Sequence, residues 1–246
     1  MQMLLANVQN TVPSFIKWLG LHHAKPFGMA HHSWVPVVMA WLVCVILVVG
    51  SYLFTRRIQK IPGFFQGVVE MFVISIYEFF ESVLGEHTDR YMPFLGSMFI
   101  YILAMNYWPL VPGMHAPTAT LSATFGLAIV TFAAVQYEGI RKNGLIDYLK
   151  HFAQPYILFF IMIPIHILEE FVRPLSLALR LFGNILGEDT VLAVFISLVV
   201  FFGAFWFPAQ FPMYFIVLLA GLIQAAIFTI LSAIYIADAT GVMGDH

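Results

Sequence analysis

The chain has 246 residues, of which 61% are hydrophobic and 10% charged; phenylalanine alone contributes 25, and the formal net charge is -2. A soluble domain usually carries roughly 25% charged residues, so the composition excludes an ordinary soluble protein. The absence of excess positive charge argues against a nucleic-acid partner. What remains is a single integral-membrane domain over residues 1–246, built from α-helices that satisfy their own backbone in lipid. The one cysteine, Cys44, has no second thiol in the chain with which to form a disulfide.

Residues 1–34 read as an outer N-terminal segment with an interfacial helix at 12–21. They lack the basic start and apolar run of a cleavable signal peptide. The histidine pairs His22/His23 and His31/His32 belong to this segment and are not read as a metal site. Residues 35–54, "VPVVMAWLVCVILVVGSYLF", are long and apolar enough to span, and they run into Arg56, Arg57 and Lys60. By the positive-inside rule that end is cytoplasmic, which puts the N-terminus outside. Residues 62–84 carry Glu70, Glu78 and Glu81 along one side of a helix and read as an amphipathic helix lying on the cytoplasmic surface. Topology agrees: a crossing there would put Arg141, Lys142 and Lys150 outside. Residues 94–111 and 118–137 form a two-span hairpin. His115, in the turn between them, and Asn106 read as boundary or packing residues.

From Pro155 to Phe205 no convincing stop interrupts the apolar sequence. An unbroken helix of that length would measure about 75 Å, against about 30 Å of hydrocarbon. It either turns back near 184–190 or lies strongly tilted, and the residues leave both open. A turn at 207–212, "FPAQFP", precedes a last helix at 213–237 whose C-terminus faces the cytoplasm.

The long segment carries a polar stripe. Glu169, Arg173, Ser176, Arg180, Asn184 and Glu188 recur three or four residues apart and share one helix face, with Glu170 and Asp189 beside it. Gly183 and Gly187 sit next to the stripe and would admit a close neighbour. Gly221, Gln224, Ala225, Ser232 and Tyr235 make a fainter counterpart on the last helix. A single polar residue in a membrane helix serves as glue between helices. Two cations with several acids exceed that need and point to an aqueous path for ions, lined by carboxylates and interrupted by a fixed positive charge.

"PLSLALRLFGN" (174–184) resembles the signature of subunit a of F-type rotary ATP synthases. The likeness extends to "NYWPLVPG" and "PTATLSATFGLAI" within 106–129, and to "LIQAAIFTILSAIYI" (222–236). The resemblance implies three transmembrane helices, an interfacial amphipathic helix and a C-terminal pair of strongly tilted, near-horizontal helices over 155–237. It implies a stator subunit of the bacterial plasma membrane with two ion half-channels. Its partners would be the ring of c subunits, the peripheral-stalk b subunits, the soluble ATPase head and the lipid bilayer. Protons or sodium ions would load and unload the ring carboxylates, with no cofactor, and ATP chemistry would lie in partner subunits. Arg180 matches the essential arginine and Gln224 the glutamine near it. Asn184, Glu188 and Asp189 would line the outer half-channel, and Glu169, Glu170, Arg173 and Ser176 the inner one. Some members carry a histidine or acid where this chain has Val217, so Glu188 and Asp189 would share that work.

A stand-alone ion-coupled secondary transporter is the alternative, but inverted repeats and paired broken helices are not evident. An intramembrane protease lacks its motifs, including H-E-x-x-H.

Overall fold

In the computed structural model, residues 31–56, 58–110, 117–144, 159–201 and 210–241 are described. The expected interfacial helix at 12–21, His22/His23 and His115 lie outside them. Six α-helices follow in order: α1 His31–Thr55, α2 Phe64–Leu84, α3 Thr88–Tyr107, α4 Leu121–Asn143, α5 Phe159–Phe201 and α6 Gln210–Thr240. All regular structure among the described residues is helical, with short 3₁₀ turns at Gly85–His87, Trp108–Leu110 and Pro117–Ala119.

Among the described residues three helices are long and apolar enough to cross a bilayer: Pro36–Thr55 in α1, Leu121–Asn143 in α4 and Tyr214–Thr240 in α6. The first two coincide with expected spans. The expected span at 94–111 lies largely in α3, which starts earlier than expected, takes in Asp89 and Arg90, and is not among the three. α3 buries Tyr91, Leu95, Met98, Phe99, Ile102 and Met105 against its neighbours, while Asp89, Arg90 and Asn106 lower its hydropathy.

Cross-helix contacts fix the directions. Arg90 near the start of α3 pairs with Glu138 near the end of α4 at 2.5 Å. Asn143 at the end of α4 donates to the carbonyl of Ala239 at the end of α6 (2.9 Å). At the opposite end, Tyr107 Oη donates to Leu218 O (2.8 Å). Tyr101 Oη, in the second half of α3, donates to Ala40 O in the first half of α1 (3.1 Å). The ends of α1, α4 and α6 and the start of α3 therefore lie towards one end of the bundle. The basic residues Arg56, Arg90, Arg141 and Lys142 gather there. Gly144 closes α4 with φ 77, a backbone region glycine enters without steric cost.

α2 folds back along α3. Tyr77 Oη donates to Asp89 (2.7 Å), and the Phe72 and Phe99 rings lie 6.4 Å apart. Ile76, Phe80 and Leu84, three or four residues apart, are the buried face of α2. Its glutamates and several large apolar residues stay exposed, Phe64 and Phe65 above all (85% and 83%).

α5 runs without a break for 43 residues, with Pro164 and Pro174 inside it. The chain does not turn back at 184–190, which removes one of the two alternatives left open above. Leu177, Ala178, Leu181 and Ile185 form its buried stripe. That buried stripe favours helix across Gly183, where turn chemistry alone is weak.

Candidate functional site

The polar stripe of α5 is divided by its partners into two separate centres with Arg180 between them. Nearer the basic end of the bundle, Arg173 is the hub. Its Nη2 donates to Glu169 Oε1 (3.1 Å) on the same helix and to Asp238 Oδ2 (2.8 Å) on α6. Its Nη1 lies 3.6 Å from Glu170 Oε1. The guanidinium also sits 5.2 Å from the centre of the Tyr235 ring, within cation–π range. Glu170 accepts a bond from Gln136 Nε2 of α4 at 2.6 Å. His166 Nδ1 lies 3.8 Å from Glu169. Arg173 and Glu170 are largely shielded, with side-chain exposures of 19% and 16%, whereas Glu169 and Asp238 reach solvent-accessible positions at 52% and 50%.

Between α4, α5 and α6 this centre borders a half-open cavity of about 10 Å³. Glu170, Arg173, Thr131 and Tyr235 supply its polar lining, and Leu177, Val135 and Ala128 lie on the apolar side. That is the size of one water site, with enough polar groups to hold a water.

The second centre lies further along the bundle. Asn184 Nδ2 donates to Gln224 Oε1, joining α5 to α6. Gln224 is buried (1% exposed), and among the described residues its Nε2 has no hydrogen-bond partner. One turn earlier on α6, Asn106 Nδ2 donates to Gly221 O (3.2 Å), and Thr118 Oγ1 donates to Asn106 Oδ1 (3.4 Å). Gly221 is where helices approach closely: a Cβ there would stand 3.0 Å from Tyr107 Cε1 and 3.3 Å from Asn106 Cβ. At Gly183 and Gly187 an added Cβ would meet nothing within 4 Å among the described residues. They open outward instead of seating a helix of this chain.

Arg180 stands apart from both centres. It is exposed, and among the described residues no carboxylate or hydrogen-bond partner reaches it. α5 and α6 also expose Val172, Leu175, Leu179, Leu186, Leu219 and Ile223. A guanidinium that no group of the described chain pairs is costly in hydrocarbon and calls for a partner outside the chain. Asn184 and Arg173 each bridge α5 to α6, and among the described residues Arg180 bridges to neither neighbour. Ser176 and Glu188 are half-buried on the same helix, and Asp189 lies within it.

Sequence reasoning missed two members of the first centre, Asp238 and Gln136. Asp238 was within reach, because Gln224, Tyr235 and Asp238 are whole numbers of turns apart on one face of α6. Gln136, a lone amide near the end of a span, carried no such signal.

With this geometry in place, the likeness to known proteins is specific. The family model described as ATP synthase A chain matches residues 37–237. This chain belongs to the ATP synthase A chain family. An ATP synthase subunit a of Moorella thermoacetica is 38% identical over 220 residues, covering 88% of this chain and 97% of the relative. One from Protochlamydia amoebophila is 35% identical over 247 residues, covering 93% and 90%. An ATP synthase subunit a 1 of Syntrophotalea carbinolica is 35% identical, covering 92% and 95%. The chain is thus a bacterial-type subunit a of the ATP synthase membrane sector. Both centres and Arg180 lie within the residues the family model matches, except Asp238, which follows directly after its last residue.

Proposed function

We propose that this subunit is the non-catalytic ion-conducting stator of a rotary ATP synthase, supplying two half-channels that load and unload carboxylates on a ring of c subunits. The single observation that carries the proposal is Arg180: a permanent cation, exposed, in an apolar helix, between two polar centres that among the described residues do not touch it. The missing partner is a rotor carboxylate. Facing lipid, that carboxylate must be neutral, because an ion in hydrocarbon costs several kcal/mol or more. Beside Arg180 it loses its proton or sodium ion, since a nearby cation favours the charged form. Arginine suits the role because it stays protonated where a buried lysine can neutralise. The same charge repels cations that would pass straight between the half-channels, so they cross by riding the ring. Each elementary charge falling through about 100 mV releases about 2.3 kcal/mol for rotation.

Glu169, Glu170, Arg173 and Ser176 border the inner half-channel, next to the end where the basic residues gather. Asn184, Gln224, Glu188 and Asp189 border the outer one. A 43-residue helix is about 65 Å long, twice the hydrocarbon thickness, which favours strongly tilted α5 and α6. The outward-opening Gly183 and Gly187 let the ring approach close to Arg180. The membrane is the bacterial plasma membrane, with the N-terminus outside, the C-terminus and α2 on the cytoplasmic side, and the peripheral-stalk b subunits and soluble head completing the complex.

The test is passive ion flux into vesicles containing the assembled complex with Arg180→Ala, under an imposed potential, with a carboxylate reagent that blocks the ring as control. The expected result is loss of synthesis together with a leak that the reagent suppresses. An assembled Arg180→Ala complex that retains synthesis and does not leak excludes the gate.

A further inference from the structure

Three carboxylates share the guanidinium of Arg173, and they do not share it equally. Asp238 holds Nη2 at 2.8 Å and Glu169 holds the same nitrogen at 3.1 Å. Glu170 receives only the looser approach of Nη1 at 3.6 Å, while its other oxygen accepts from Gln136 at 2.6 Å. Glu170 is also the carboxylate that lines the water-sized cavity between α4, α5 and α6; Asp238 is half exposed on the outer side of Arg173. The groups facing Glu170 are Arg173 and Glu169 from α5, Asp238 and Tyr235 from α6, and the uncharged Gln136 from α4.

We propose that Asp238 is a positioning residue for Glu170: by holding Arg173 along its Nη2 edge, it keeps that cation from closing on Glu170 and leaves Glu170 able to bind and release a proton at the cavity. The inference rests on the reading of Glu170 as a lining residue of the inner half-channel. An arginine and a carboxylate prefer two parallel bonds. Arg173 and Glu170 stand three residues apart on one helix, with Nη1 already 3.6 Å from Glu170. What prevents this pairing is the bond across to α6, which draws Nη2 away. A fully paired Glu170 would be locked in its charged form, because an adjacent cation disfavours protonation. Asp238 thereby tunes an ion-handling group it does not touch, by occupying the cation between them.

The experiment uses the assembled complex in inverted vesicles and follows ATP-driven proton uptake from the cytoplasmic side as a function of pH. In Asp238→Asn the partner of Nη2 loses its charge, Arg173 closes on Glu170, and a lower pH is needed to protonate it. The expected result is a shift of the half-maximal pH downward by about one unit, with Asp238→Glu restoring the original profile. A rate reduced equally at every pH, with no shift, would mean a merely structural role and overturns the proposal. The background Arg173→Gln gives a second reading if Asp238→Asn assembles poorly: adding Asp238→Asn to it should shift the profile by clearly less than in the wild-type background, and an equal shift would overturn the proposal. Glu170→Gln separates the two levels. A wild-type rate and profile in Glu170→Gln removes the inner half-channel reading itself, whereas a slowed Glu170→Gln beside an unshifted Asp238→Asn removes only the role of Asp238.

Discussion

Asn184 of α5 donates its amide to Gln224 of α6 one turn beyond Arg180, and this bond ties the helix that carries the cation to its neighbour. The accepting side chain is buried, yet its own Nε2 has no partner among the described residues. An unsatisfied buried donor costs about 1–3 kcal/mol, so the fold does not retain Gln224 for stability. Gln224→Leu is therefore expected to leave the thermal stability of the complex unchanged or raised while ion transport falls. Unimpaired transport in Gln224→Leu would reduce the pair to packing. A cycle with Asn184→Leu should show coupling, the double variant transporting no worse than the poorer single.

Charge alone should not suffice at position 180. Lysine keeps the formal charge but lacks the planar fork and can lose its proton away from water. Arg180→Lys should reduce ATP synthesis to near background in complexes of normal subunit content. Retained synthesis at more than about a tenth of wild type, a loss below 1.4 kcal/mol, would show that any cation serves.

Glu188 and Asp189 are adjacent on α5, and in the outer half-channel proposed above one carboxylate at a time would suffice. Each single change to the amide should slow transport moderately, and the double change should slow it well beyond the product of the two. Strictly multiplicative rates would indicate independent roles.

The close contact of α3 with α6 depends on the missing side chain at Gly221. Gly221→Val drives two methyl groups towards the Tyr107 ring and should destabilise the subunit by about 1–3 kcal/mol, the usual cost of overpacking. Loss of assembled complex on gentle heating measures it. Gly183→Ala and Gly187→Ala, beside open space in this chain, should leave subunit stability within about 0.5 kcal/mol and instead slow rotation if the ring passes there.

Sidedness follows from labelling. Ser82→Cys, near the α2–α3 turn, and Gly67→Cys, near the start of α2, should both react with an impermeant reagent applied from the cytoplasmic side. Reaction of either from the outer side only would contradict a cytoplasmic α2.

The local properties were legible in the residues themselves. Hydropathy marks the spans at 35–54 and 118–137 because transfer to lipid depends on composition. The stripe from Glu169 to Glu188 is visible because 3.6 residues per turn places those positions together whatever surrounds them. Periodicity says which residues share a face but is silent on what that face meets. Tertiary packing decided that α5 continues past Gly183, since its buried seam of Leu177, Ala178, Leu181 and Ile185 outweighs weak turn signals. It set Arg173 against Asp238, 65 residues away in sequence, and Gln136 against Glu170, because register between helices comes from their packed surfaces. It also made Gly221, not Gly183, the point of close approach among the described residues, and left Arg180 exposed there without a carboxylate partner. Two arginines seven residues apart look alike in sequence. One is satisfied by its own fold and the other is not, because only one of them lies where α6 brings a carboxylate within reach.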